Sequence, residues 1–131
     1  MLRTWTRLDD ETEGRVAEII DAAVAVHREL GPGFLERVYH NAMCLELTVR
    51  SLPFECEKAV VITYKGRPVG THRLDLIVCD RVVVELKAAK GPEPVHLARM
   101  ISYLKASEIR VGLLMNFGFS TLAEGLKRVV L

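Results

Sequence analysis

Near residue 60 the apolar residues of this chain change from a helical period to alternation, and that change constrains the fold more than any other feature. From Val16 through Ile19, Ile20, Ala23, Val24, His27 and Leu30 they recur at helical spacing, behind the capping oxygens and first-turn acids of Asp9-Asp10-Glu11-Thr12. Gly31-Pro32-Gly33 must end this helix, because proline cannot continue the hydrogen-bond ladder. A second helix is expected at about Leu35 to Arg50, with Leu35, Val38, Tyr39, Ala42, Met43 and Leu45 inside and Leu52-Pro53 closing it.

Beyond this point the pattern alternates. Val60, Ile62 and Tyr64 share one face of an expected strand, with Val61 and Thr63 on the other. Lys65-Gly66-Arg67-Pro68 reads as a hairpin turn into a second strand, Val69 to Cys79, where His72, Leu74, Leu76 and Val78 alternate with Arg73, Asp75, Ile77 and Cys79. After a tight turn at Asp80-Arg81, a third strand from Val82 to Ala88 completes an antiparallel meander, which Gly91-Pro92-Glu93-Pro94 breaks. Val95 to Ala106 returns to helical spacing, and Val111 to Asn116 reads as a buried strand, so the helix between strands implies a parallel crossover. In the tail, Thr121 to Lys127 looks helical and Arg128 to Leu131 extended. The expected fold class is α/β (α+β), order ααβββαβ: a mixed sheet of about four strands, a meander plus one parallel strand, flanked by helices.

With 131 residues, 50% of them hydrophobic and 27% charged, the chain suits one compact domain over residues 1–131. No apolar run approaches the roughly 18 to 20 residues that span a bilayer, and the opening residues lack a signal peptide's apolar stretch. The expectation is a cytoplasmic protein with no membrane partner. Cys44, Cys56 and Cys79, odd in number and without CxxC spacing, suggest neither a disulfide framework nor a zinc knuckle. His40 and Cys44, four apart on a helix, lack a matching second pair. The net charge of +1 argues against coating nucleic acid by charge alone, but it averages −4 over residues 1–64 with +5 over residues 65–131. A polyanion would be met by the second half, unless the asymmetry is ordinary scatter of solvated charge.

The third strand carries the informative chemistry. Alternation puts Glu85 and Lys87 on one face, about 7 Å apart, with Val82, Val84 and Leu86 on the other. The Asp80-Arg81 turn sets Asp75 opposite the Leu86 region, in diagonal reach of Glu85 and Lys87. Two carboxylates and an ammonium thus converge. Carboxylates suit Mg2+ or Mn2+, which polarise a phosphodiester and activate water, and a nearby lysine can orient that water or stabilise transition-state charge. The same spacing also fits a solvated sheet face with a weak Glu85–Lys87 pair.

Gly33-Phe-Leu-Glu36-Arg-Val-Tyr39 resembles the signature of the GxxExxY family, and Asp75 with Val84-Glu85-Leu86-Lys87 resembles the active-site motif of the PD-(D/E)xK nuclease superfamily, to which that family is assigned. The likeness runs from about Glu13 to Leu131 and includes Tyr103-Leu-Lys105 and Gly112-Leu-Leu-Met-Asn-Phe-Gly118. It implies a restriction-endonuclease-like core in which Asp75, Glu85 and the Leu86 carbonyl bind the metal and Lys87 assists the attacking water. It also implies that Glu36 supports the metal site from its helix, with Tyr39 packing beside it or touching substrate. Relatives commonly carry Gln-x-x-x-Tyr on the helix after Glu-x-Lys; here the segment is Arg99-Met-Ile-Ser-Tyr103, and arginine would clamp a phosphate or disturb the metal site. His96, near the start of that helix, reads either as a phosphate contact or as a solvated or capping histidine.

The function these residues lead one to expect is hydrolysis of phosphodiester bonds in nucleic acid, DNA rather than RNA, by metal-activated water. The catalytic set would be Asp75, Glu85, Lys87 and Glu36, with Tyr39, His96, Arg99 and Tyr103 toward the substrate. The rival is a catalytically weak or inactive module of the same fold that binds nucleic acid or a protein. A protein partner supplying specificity and a homodimer complete the expected partners.

Overall fold

The computed structural model describes residues 6–89 and 94–131. The opening segment and the break expected at Gly91-Pro92-Glu93 lie outside those residues. Two helices come first, α1 (Asp10–Leu30) and α2 (Glu36–Val49), then a meander of β1 (Phe54–Tyr64), β2 (Arg67–Val78) and β3 (Val82–Lys87). Helix α3 (Pro94–Ser107) crosses over to β4 (Val111–Asn116), and a short α4 (Leu122–Gly125) leads into β5 (Leu126–Val130). The sheet runs β1-β2-β3-β4-β5, antiparallel throughout except for the parallel β3–β4 pair. This is the mixed sheet of a restriction-endonuclease-like fold, with five strands where about four were expected. The tail expected to be extended from Arg128 joins the sheet as this fifth strand and starts two residues earlier, at Leu126, where the helix was expected to run on to Lys127.

Local chemistry sets the element ends. At the start of α1, Asp9 accepts from the Thr12 N–H at 3.1 Å and its hydroxyl at 2.7 Å, with acids filling the first turn. Gly31 ends the helix at a φ of 66°, a left-handed conformation open to glycine, and donates to the His27 carbonyl. Tyr39 then latches the turn: its hydroxyl donates to the Gly31 carbonyl and accepts from the Phe34 N–H. Its ring stacks on Phe117, whose other neighbour is His27.

Helices α1 and α2 cover one sheet face, where Leu76, Val78, Val82, Val84 and Leu86 meet Ile19, Val26, Tyr39, Met43 and Leu47. Helix α3 covers the other, with Met100 and Leu104 against Leu74, Ile77, Val83, Leu114 and Val129. The inner face of α2 differs from the expected one. Tyr39, His40, Met43 and Leu47 are buried, while Leu35, Val38 and Leu45 are exposed. The helix has two apolar stripes, and the sheet takes the one carrying the larger, stacked side chains.

The regular alternation expected along β2 fails at Asp75. Leu74 packs on the α3 side and Leu76 on the α1–α2 side, so the strand changes phase between them. Opposite this point on β1, Glu57 has a φ of 52° and lies between the Cys56–Leu76 and Lys58–Leu74 pairs. The β2–β3 register also differs by one residue, since Leu76 faces Val84 and Val78 faces Val82. Continued one step, this sets Asp75 against Glu85 rather than Leu86.

Candidate active site

Beyond the Leu76–Val84 pair, side chains replace the backbone ladder. The Asp75 N–H donates to Glu85 Oε1 at 3.0 Å, and the Leu86 N–H donates to Asp75 Oδ2 at 2.8 Å. The phase change makes this geometry available, because it turns the Asp75 carboxylate toward the gap between the strands instead of onto a sheet face. Each carboxylate commits one oxygen to the backbone, and the two acids face one another.

Glu85 is 5% exposed, and burial, followed by the charge of Asp75, pushes its carboxyl up to about 8. Two like charges in a dry slot repel, and a divalent cation would remove the conflict. The donor set fits such an ion: hard carboxylate oxygens, two in number, match Mg2+ held by one or two carboxylates plus water and substrate phosphate. It does not make an all-protein cage. Among the described residues no group of three or more His, Cys, Asp and Glu side chains stands together as metal ligands.

This bears on Glu36, expected to support the metal. The first residue of α2 turns instead to Lys87, with Oε1 3.8 Å from Nζ. The Gly33–Glu36–Tyr39 motif therefore divides its work: Tyr39 holds the turn from within, and Glu36 reaches the end of β3 from the helix start. Tyr39 has no exposed surface, which closes to it the expected substrate contact. At the other end of β3, the Lys87 carbonyl accepts from the Phe117 N–H at 2.7 Å.

Lys87 and His96 line two adjoining hollows. One, of about 450 Å3, includes Asn116, Phe119, Glu124 and Lys127; the other, of about 330 Å3, includes Phe34, Leu35 and Glu36. Arg99 is exposed one turn before Tyr103 on α3. Burial raises the Tyr103 hydroxyl above its ordinary value, with Glu85 and Asp75 adding to the effect and Arg99 opposing it. Tyr103 also meets His72 edge to face, with centroids 5.3 Å apart. The structure thus gathers Asp75, Glu85, Tyr103 and Arg99 in one electrostatic neighbourhood and brings Lys87, Glu36 and His96 together beside it.

The sequence reading missed two supports. His40 is buried with Nε2 3.4 Å from the Asp75 carbonyl, so it braces the distorted strand from the α2 side. Its position one residue after the motif tyrosine was the available signal. Asn116 Oδ1 accepts from the Ala89 and Gly118 N–H groups, tying the chain after β3 to the end of β4. Gly118 is required there, because a Cβ would collide with the Ala89 carbonyl. Arg128 is clamped by Glu13 at 2.7 and 2.8 Å.

No curated protein sequence and no solved structure matches the chain. A family model described as the PD-(D/E)XK nuclease superfamily matches residues 13–129, the stretch that contains the paired carboxylates, Lys87 and the five strands up to the last residue of β5. Members generally use divalent metals and act on nucleic acid. With that match spanning nearly the whole chain, the protein belongs to the PD-(D/E)XK nuclease superfamily.

Proposed function

We propose that the chain is a metal-dependent phosphodiesterase of the GxxExxY family, acting as a single domain on DNA in the cytoplasm, with Mg2+ or Mn2+ as its cofactor. The observation that carries this reading is the replacement of the β2–β3 ladder by two facing carboxylates, one of them buried. A sheet gives up backbone pairing in its interior at a cost, and a dry like-charged pair adds to it; a bound cation offsets both.

Asp75, Glu85 and the Leu86 carbonyl would hold the ion. When bound, it neutralises charge on the phosphate and lowers the pKa of water. Lys87 orients the attacking water and offers its ammonium to the developing phosphorane charge. Glu36 acts as a positioning residue, keeping the Lys87 ammonium beside the carboxylates rather than in solvent. His40 fixes the Asp75 backbone, while His96 and Arg99 offer cationic or hydrogen-bonding contacts to flanking phosphates, and Tyr103 borders the acids. The test is cleavage of labelled single- and double-stranded DNA and RNA with magnesium, manganese or chelator, beside Glu85→Ala. Metal-dependent cleavage that the variant lacks supports the reading; undiminished cleavage in the variant overturns it.

A second reading rests on Arg99 and on the near-neutral charge of the chain: a nuclease-fold module that binds nucleic acid or a protein partner without turnover. It predicts affinity that survives chelation and no cleavage in any arm of the same assay.

A further inference from the structure

The β1–β2 hairpin outgrows the sheet. Residues 58–73 form a two-stranded ribbon in which all but Val60 and Ile62 are exposed. Tyr64 pairs with Arg67 across a two-residue turn, where Lys65 and Gly66 take φ values of 51° and 76°, as a type I′ turn requires. This stretch contains Lys58, Lys65, Arg67 and Arg73 and no acid, in a chain whose net charge is only +1. Lys58 pairs with Glu55 at the ribbon's foot, so the excess positive charge lies along the ribbon and at its tip.

The ribbon also runs into the candidate site. His72 meets Tyr103, and Asp75 follows three residues later on the same strand. We propose that the 58–73 ribbon is the duplex-binding arm of the enzyme, its cations lying along the phosphates of double-stranded DNA and leading the strand to Asp75 and Glu85; this rests on the nuclease reading above. A two-stranded ribbon fits the major groove, which is roughly 12 Å wide. Eight residues separate Arg67 from Asp75. At about 3.3 Å each they span about 26 Å, so the tip meets phosphates roughly seven to eight base pairs from the cut. The arm gives a small domain binding length without enlarging its core, and its charge is local enough to leave the whole chain near neutral.

The test is fluorescence anisotropy of a labelled 25-base-pair duplex with chelator present, across a salt series. It compares the wild type, Lys65→Asn/Arg67→Gln and, as a control on the far helix, Arg15→Gln. Asparagine tolerates the left-handed turn position, so the double variant keeps the hairpin. Each lost phosphate contact removes about 0.9 from the slope of log affinity against log salt. The double variant is therefore expected to lose about 1.8 from the slope and roughly 10- to 100-fold in affinity at 0.1 M salt, while the control matches the wild type. A wild-type slope in the double variant overturns the proposal, as does a wild type that does not bind the duplex. Double-variant binding at the wild-type slope combined with a changed sedimentation coefficient reassigns the ribbon to self-association and equally overturns it. The nuclease reading fails separately: binding through the ribbon with no cleavage under any metal removes the enzyme and keeps the arm, whereas metal-dependent cleavage with an unchanged slope does the reverse.

Discussion

Glu13 and Glu85 are both withdrawn from bulk water, and their surroundings drive them in opposite directions. Glu13 receives two hydrogen bonds from Arg128 and one from the Leu8 N–H, which bring its carboxyl down from 4.5 to about 2. Glu85 lies deeper, against a second acid, and is raised to about 8. The first arrangement is complete within the chain and fastens α1 to β5. In the second, Lys87 opposes the rise but does not outweigh burial and the facing acid. A bound divalent cation, as proposed above, would relieve the conflict.

Substitutions at the two acids should therefore separate stability from activity. The largest effect is expected for Glu85→Ala, with cleavage reduced a thousandfold or more, about 4 kcal/mol in the barrier, and an unchanged far-ultraviolet circular dichroism spectrum. Equal loss of cleavage in Glu13→Gln would erase the distinction. That variant is expected instead to lose on the order of 1–2 kcal/mol in urea unfolding at neutral pH while keeping cleavage within twofold.

Acid sharpens the same contrast. Because the folded carboxyl of Glu13 titrates below its unfolded value, its contribution is full above about 4.5 and is lost as pH falls toward 2. Urea midpoints between pH 5 and 2.5 should fall more steeply for the wild type than for Glu13→Gln, and parallel curves would remove the clamp from the account.

Divalent cation tests the opposite member. At tenfold over its dissociation constant, Mg2+ or Mn2+ should stabilise the wild type by about 1.4 kcal/mol, roughly 4 °C in melting temperature, and leave Asp75→Asn unmoved. A shift of equal size in Asp75→Asn would place the ion elsewhere. The smallest effect belongs to Glu36→Gln. Its oxygen stands 3.8 Å from Lys87 in a half-exposed pair, so a several-fold fall in kcat with an unchanged metal-dependent melting shift is expected. Loss of that melting shift would make Glu36 a metal ligand after all.

The elements that sequence made legible are those whose signal is local. Proline and glycine at residues 31–33 end α1, capping oxygens begin it, and alternation in Val82–Lys87 divides Glu85 and Lys87 from Val84 and Leu86. One difference came from competition between faces, another from a distant ion pair. The two apolar stripes on α2 are equally good by spacing, and only the stacking of Tyr39 on Phe117, 78 residues away in the chain, decides between them. The start of β5 at Leu126, inside the expected helix, was not legible because nothing nearby shows that Glu13 will absorb Arg128.

Sequence by itself determined the helix pair, the meander, the crossover and the identity of the acids and lysine proposed as the site, because short-range periodicity and residue chemistry carry that information. Tertiary structure decided how those groups meet. The phase change at Asp75, the one-residue register and the turning of Glu36 toward Lys87 depend on strands β1 and β3 and helix α2 pressing on one short segment from three directions. No property of that segment alone encodes their joint outcome.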